Sequence, residues 1–312
     1  MIWLIGSGHM SVEYSKVLEA QKRPYVVVGR GQKSAEDFKG KTGKEVIQGG
    51  LESFLGSNPV LAHAVIVCVG VAQLYETTLA LIAFGVNNIL VEKPAGLSSD
   101  EIEHLQLAAK DNKSDVFVAY NRRFYSSVLT AKRVIEDDGG VTSFNFELTE
   151  WGHVIGKLEK AKCVKEKWFL ANTTHVIDLA FYLGGRPEQL SAFTAGGNEW
   201  HPNATIFSGS GVSDKNALFS YQGNWQAPGR WSVELLTQKH RLIFKPIEKL
   251  RIQKIGSVLE EEYEVDDELD TSYKPGLYLQ VEDFLNNRHQ RLCSIKEQAK
   301  NSLIYDVMAG YS

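Results

Sequence analysis

Cysteine is scarce in this chain: three in 312 residues, at Cys68, Cys163 and Cys293. They form no CxxC pair and share no metal-ligand spacing with histidine, so a disulfide scaffold and a zinc module are excluded. An odd, sparse thiol count fits a reduced, cytoplasmic protein. Long hydrophobic runs are also missing. Stretches such as Ala64–Val69 are far too short to cross a bilayer. The first strand is expected to begin at Ile2, which leaves no room for a signal peptide. Charge of one sign is absent as well: 34 Lys and Arg face 38 Asp and Glu, a net −4. That balance argues against nucleic acid or an anionic membrane as the main partner. No low-complexity linker and no internal repeat occurs, and no Ser/His/Asp or Cys/His nucleophile arrangement or metal cluster can be read. What remains is an ordinary globular composition, 43% hydrophobic and 23% charged, with length enough for about two domains.

Two textures divide the chain. Up to about residue 120, short apolar runs alternate with helical patterns. The expected strands are Ile2–Ile5, Tyr25–Val28, Ala64–Val69, Asn88–Val91 and Val116–Ala119. The expected helices are Met10–Gln21, Ser34–Lys39, Leu74–Phe84 and Ser99–Lys110. Gly85 reads as a helix stop, and Ser98 with Glu101 as a capping box. Continuous apolar strands alternating with helices predict a parallel sheet covered on both faces. From about Val141 the pattern shifts to period two, as in Phe144, Phe146 and Leu148. Similar runs at 190–194, 217–221, 231–236, 241–244, 250–255 and 258–265 predict a mostly antiparallel sheet. Helices are expected at Thr173–Leu183, Leu277–Leu285 and Ser294–Met308, and the acidic stretch Glu260–Asp270 reads as a solvated strand and turn. The expected fold class is therefore α/β, with domains 1–120 and 121–312 joined directly near Tyr120–Phe124.

Gly6-Ser7-Gly8-His9-Met10-Ser11 follows the first strand and opens the first helix. This is where a dinucleotide-binding fold places its phosphate turn. Gly6 permits the tight turn, Gly8 lets backbone approach a pyrophosphate at the helix N-terminus, and Ser11 is small enough for close packing. At the end of the second strand an acidic residue would bind the ribose 2′-hydroxyl of NAD. The chain has none there and reads Val28-Gly29-Arg30-Gly31-Gln32-Lys33. Arg30 and Lys33 suit a 2′-phosphate, so NADP(H) is favoured over NAD(H). Ordinary surface residues on a loop are the alternative.

Asn88–Val91 runs into Glu92-Lys93-Pro94. Charged residues at the carboxyl end of a parallel strand face the ligand crevice of an open α/β sheet. A lysine beside oxidised nicotinamide would have its pKa lowered toward proton transfer near neutrality. Read alone, such a lysine is more often a solvated charge.

The glycine turn, Glu92-Lys93-Pro94, Asn121-Arg122-Arg123-Phe124 and Thr174-His175-Val176-Ile177-Asp178 occur in this order. Together they resemble the Gfo/Idh/MocA oxidoreductase family, over nearly the whole chain. The resemblance implies an N-terminal Rossmann dinucleotide-binding domain. It also implies a C-terminal α+β domain whose mostly antiparallel, open-faced sheet serves substrate binding and oligomerisation as a homodimer or homotetramer. It implies NAD(P)-linked hydride transfer to or from a sugar, polyol or sugar derivative, nucleotide-linked sugars included. Lys93 would be the general acid/base and His175 the substrate-side histidine. The cofactor set would be Gly6, Ser7, Gly8, His9, Met10, Arg30, Lys33, Val69, Gly70, Leu74, Glu92, Lys93 and Asn121. Substrate would meet Lys93, Arg122, Asn172, His175 and Asp178, with no metal.

Two departures stand out. Many family members carry Asp four residues before the histidine, where this chain has Ala171 followed by Asn172. Either His175 and Lys93 suffice, or Asn172 takes part of the binding role, or the reaction differs. After Cys68 the usual Pro-Asn turn and histidine give way to Gly70-Val71-Ala72-Gln73-Leu74-Tyr75. The rival readings are a non-catalytic dinucleotide-binding sensor and redox-neutral glycoside cleavage with retained cofactor. Trp225, Arg230 and Trp231 read as a sugar-stacking loop or as core. Tyr273-Lys274-Pro275-Gly276 reads as a loop that could reach the crevice.

Overall fold

The computed structural model describes residues 1–311, which fall into two compact units. The first begins with β1 (Ile2–Ile5), α1 (His9–Ala20), β2 (Tyr25–Val28), α2 (Gln32–Thr42), β3 (Val46–Ile47) and α3 (Gly50–Gly56). It continues with β4 (Ala64–Val67), α4 (Leu74–Ala83), β5 (Asn88–Glu92), α5 (Ser99–Asp111) and β6 (Asp115–Ala119). The strands lie side by side in the order β3-β2-β1-β4-β5-β6, all parallel. β1 and β4 are wholly buried, as their unbroken apolar runs require of a sheet covered on both faces. The strand order reverses direction across the sheet between β1 and β4, which opens a crevice at their carboxyl ends.

The predicted punctuation of the helices is largely seen. Gly85 has φ +94 just past α4. Ser98 Oγ accepts from the Glu101 amide at 3.2 Å, while the Glu101 carboxylate accepts from the Leu97 amide at 2.6 Å. Glu101 therefore satisfies the residue before the cap rather than the cap itself.

The second unit runs through α6 (Ser126–Asp137), β7 (Ser143–Glu147), α7 (Gly152–Ile155), α8 (Lys162–Glu166), a π-turn at Phe169–Thr173 and α9 (Thr174–Gly184). There follow β8 (Pro187–Ala195), β9 (Ile206–Ser213), β10 (Leu218–Asn224), β11 (Ser232–Leu236), β12 (His240–Phe244), β13 (Arg251–Lys254) and β14 (Glu260–Glu262). Its eight-stranded sheet has the order β14-β13-β12-β11-β7-β10-β9-β8. Every pairing is antiparallel except β7 with β10. Phe144, Phe146, Phe219 and Tyr221 line one face, and α9 packs over it through Phe181. Strand β9 escapes the sequence pattern because two of its inward positions, Gly209 and Gly211, are glycines. A Cβ on Gly209 would come within 2.6 Å of the Tyr221 ring, and one on Gly211 within 2.7 Å of Phe219.

The expected division at residue 120 differs from the observed one in its second part. Residues 269–302 pack with residues 1–121, whereas residues 122–268 and the chain from Leu303 onward form the other unit. The reason is local. Helix α11 (Leu277–Leu285), which follows the short α10 (Glu268–Ser272), buries Leu277, Val281 and Phe284 and packs on α1. Its Phe284 meets Phe117 of β6 edge-on. A two-residue strand, β15 (Cys293–Ser294), then pairs antiparallel with β6 and closes that edge before α12 (Ile295–Ala309). Among the described residues no helix is long and apolar enough to cross a membrane.

Candidate active site

The glycine turn sits at the crevice of the first sheet. Gly6 has φ +120, and a Cβ there would stand 2.7 Å from the Cys68 carbonyl oxygen. No other residue fits that backbone without moving β1 away from β4. Gly8, the N-cap of α1, is exposed, and a Cβ on it would meet no atom within 4 Å. Ser11 is fully buried; its hydroxyl accepts from the Gly8 amide at 3.1 Å and lies 3.2 Å from Cys68 Sγ. The small third residue thus packs the helix against β4, as the motif requires. Ser7 donates to Ser34 Oγ at 3.0 Å, linking the turn to the first turn of α2. His9 is exposed, and Met10 is half-buried.

Arg30 leaves the end of β2 and reaches the segment after β4. With the Gln73 amide oriented to satisfy its neighbours, the Gln73 oxygen accepts from both terminal nitrogens of Arg30 at 3.0 Å. Lys33 lies exposed in the first turn of α2, a turn without acidic residues. Nearby lysines are neutralised, Lys39 by Glu45 and Lys44 by Glu19. Arg30 is held by a neutral amide instead. Val69 and Gly70 follow β4 at the same rim, and Leu74 starts α4 with its side chain fully buried.

At the end of β5 the chain turns sharply: the Ala95 amide donates to the Glu92 carbonyl at 3.0 Å, across a cis Lys93–Pro94 bond. Buried Gln298 of α12 fixes this turn by donating to the Pro94 carbonyl at 3.0 Å and to Tyr120 Oη at 3.1 Å. Tyr14, fully buried on α1, donates to Glu92 at 2.7 Å. Burial raises the Glu92 pKa above the usual carboxylate range, against the opposing effects of Tyr14, Lys93 and Lys274. Burial likewise pushes the Tyr14 phenol up, with the Glu92 charge adding to it. Burial also lifts the Cys68 thiol to about 12. The 273–276 loop carries Lys274, one of the charges that oppose the effect of burial on Glu92. Asn121 is buried; it donates to the Pro275 carbonyl at 2.9 Å and anchors that loop.

In the second unit Arg122-Arg123-Phe124 and α9 come together. Arg123 grips Asp178 bidentately, Nε to Oδ2 at 2.9 Å and Nη2 to Oδ1 at 2.5 Å, with the two side chains 3% and 1% exposed. Both Asp178 oxygens are thus engaged by an arginine. Arg122 lies half-buried over the Trp231 ring, 5.1 Å from its centroid. Trp231 stands 6.2 Å from the His175 ring, and the exposed Arg230 covers it from 4.8 Å. Trp225 is core: buried, its indole N–H donates to the Leu148 carbonyl at 3.1 Å.

The sequence shows no acid at position 171, and Ala171 is buried. A carboxylate nevertheless reaches this segment from another element. Glu150, just after β7 and 2% exposed, accepts from Asn172 Nδ2 at 2.9 Å and from Thr173 Oγ at 2.6 Å. Burial raises its pKa, opposed by those two donors and by the Arg230 charge. Sequence reasoning missed Glu150, Arg123 and Gln73. The first lies three residues past the end of β7, where the period-two pattern carries no signal for it.

Residues 2–120 match the GFO_IDH_MocA family model, described as an oxidoreductase family with an NAD-binding Rossmann fold. No curated protein matches the chain in sequence. Among solved structures, levoglucosan dehydrogenase in complex with NADH and levoglucosan is similar with TM-score 0.80 at 18% identity, covering 99% of this chain and 96% of that one. UDP-N-acetylglucosamine 3-dehydrogenase from Acidithiobacillus ferrooxidans gives TM-score 0.74 at 14% identity, covering 99% and 98%. An oxidoreductase from Agrobacterium radiobacter in complex with NAD+, L-tartaric acid and magnesium gives 0.77 at 12%, covering 99% and 95%. At these identities the likeness establishes the fold. The strand order and the glycine turn agree with the family match, which gives residues 2–120 the NAD-binding Rossmann fold of the GFO_IDH_MocA oxidoreductase family.

Proposed function

We propose that the chain is an NAD(P)-dependent dehydrogenase, favouring NADP(H), that acts on a CH–OH group of a sugar, polyol or sugar derivative. The observation that carries the reading is the Glu92-Lys93-Pro94 turn at the carboxyl end of β5, pinned by Gln298 and Tyr14 in a sheet of order 3-2-1-4-5-6. The residues present fit a dinucleotide: Gly6 leaves no room for a side chain, and Gly8 leaves open space at the start of α1. The bound nicotinamide supplies the hydride acceptor or donor. Gly6 to Met10 hold the pyrophosphate on backbone amides, with Val69, Gly70 and Asn121 at the same rim. Arg30 and Lys33 hold a 2′-phosphate, since Arg30 is pre-oriented by Gln73 and has no carboxylate to release.

Lys93 takes the proton of the substrate hydroxyl or returns it. Glu92 keeps that ammonium in place: half-buried and hydrogen-bonded by Tyr14, it gives the lysine a nearby anion whenever it is ionised. His175 positions the hydroxyl, and Arg122 contributes to the polar wall beside Trp231. Asp178 anchors α9 through Arg123 rather than meeting substrate. The activities named for the similar structures, on levoglucosan and on a nucleotide-linked sugar, support the substrate class.

The test is a panel of sugars, polyols and nucleotide-linked sugars followed by nicotinamide absorbance with NAD(P)+ and NAD(P)H. Turnover of at least one member, faster with the NADP couple, is expected. Dinucleotide binding without turnover of any member would favour the sensor reading.

A further inference from the structure

Asn172 and His175 are half-exposed, while Ala171, Thr173, Thr174 and Val176 around them are buried. These two side chains, three residues apart, share one face and are the polar groups this stretch presents outward. The Asn172 amide is not free to choose its orientation. Its nitrogen donates to both Glu150 oxygens, at 2.9 Å each. An ionised carboxylate only accepts, so it selects the –NH2 end of the amide and turns the carbonyl end away. Thr173 holds the same carboxylate from the adjacent position, at 2.6 Å. The wide π-turn over Phe169–Thr173 lets two consecutive residues reach one acceptor. Among the described residues no donor meets the Asn172 carbonyl oxygen.

We propose that Glu150 is a positioning residue that locks Asn172 so that its side-chain carbonyl is a fixed acceptor for a substrate hydroxyl. This rests on the functional reading above, in which the start of α9 meets substrate. The device selects chemistry. A hydroxyl donates to the carbonyl, whereas a keto, carboxylate or phosphate oxygen at the same point would face an acceptor. Three residues on, the His175 imidazole stands 6.2 Å from the Trp231 ring, with Arg122 and Arg230 over that ring. Paired hydrogen-bonding groups next to an aromatic ring suit a polyhydroxylated ring with neighbouring hydroxyls.

The substitutions Glu150→Gln and Asn172→Asp, alone and together, test this. E150Q sets –NH2 against –NH2 and lets Asn172 turn over, so the outward acceptor becomes a donor. With levoglucosan and myo-inositol as probes, E150Q should raise KM about tenfold or more while kcat changes little, the loss of one hydrogen bond in the complex. N172D sets two carboxylates together and should also raise KM. Combining E150Q with N172D restores a donor–acceptor pair, now with the amide on the first partner and the carboxylate on the second. An outward oxygen is kept, so KM should return to within about threefold of the parent. Reduced-dinucleotide binding serves as the folding control. Selective 15N-asparagine labelling gives a readout independent of turnover: the Asn172 side-chain amide, assigned by its loss in N172D, should shift in E150Q. If no probe is turned over by the parent, the functional reading fails for these probes, and the amide resonance alone decides the lock. An unchanged resonance in E150Q, an unchanged KM, or a double variant no better than E150Q would overturn the proposal.

Discussion

Removing one partner of the Arg123–Asp178 pair should unfold the second unit at a markedly lower temperature. The guanidinium and carboxylate are 3% and 1% exposed and meet through two parallel hydrogen bonds. In Asp178→Asn the buried cation meets a weak amide acceptor in place of the carboxylate, beside the Tyr182 ring 4.8 Å from its centre. Breaking such a pair from one side costs about 3–5 kcal/mol, because the surviving charge stays desolvated. For a unit of roughly 150 residues, each kcal/mol moves Tm by about 2–4 °C, so a fall of about 6–20 °C is expected. Calorimetry at a fixed scan rate reads it. The double replacement Arg123→Met with Asp178→Leu removes both charges and leaves apolar volume, and should recover most of the loss. A Tm within a degree of the parent for D178N would refute the reasoning. So would a double variant less stable than both singles, since either result means the pair does not carry a one-sided desolvation penalty.

Other outcomes follow from the same structure. Gly6→Ala forces a Cβ to 2.7 Å from the Cys68 carbonyl at φ +120, so strain of about 1–3 kcal/mol and at least a tenfold weaker dinucleotide affinity are expected. NADPH fluorescence titration checks this, and unaltered affinity would count against it. Arg30→Ala should weaken NADPH roughly 10- to 150-fold, the worth of a charged hydrogen bond, and leave NADH nearly unchanged; equal losses would point away from a 2′-phosphate contact. His201 is buried between the Ala204 carbonyl and Tyr311, and burial lowers its pKa below 6.5. The unfolded chain therefore binds more protons there between about pH 6.5 and the lower folded value. Stability should fall as pH drops through that window, and His201→Phe should flatten the slope in Tm measured from pH 7.5 to 5. A slope unchanged by the substitution would clear His201 of the effect.

Most of the first unit was legible because its buried strands are spelled without interruption: Ile2–Ile5 and Ala64–Val67 can hardly be anything but central parallel strands. β3 and α3 were not, since two residues and seven residues give too little period to read. β9 was hidden for a different reason. Its Gly-Ser sequence looks like a loop, and only the rings of Phe219 and Tyr221 opposite it explain the missing side chains. The return of residues 269–302 to the first unit depends on which surface α11 buries, and a single helix pattern does not say against what it packs. Among the site residues, Gly6 and Lys93 stand in motifs whose spacing carries their meaning. Glu150 does not: it meets Asn172 and Thr173 across 22 and 23 residues of chain, a contact made by folding alone. Likewise Arg123 reads as one of two adjacent arginines until the structure shows which is buried on Asp178 and which lies over Trp231.

The central claim is that the Lys93 amine carries the substrate proton, and Lys93→Met tests it most directly. Reduced-dinucleotide affinity should stay within about threefold of the parent, while turnover on the best sugar or polyol falls by about 10²–10⁴. Turnover that survives the substitution undiminished, with the dinucleotide still bound, would contradict the account.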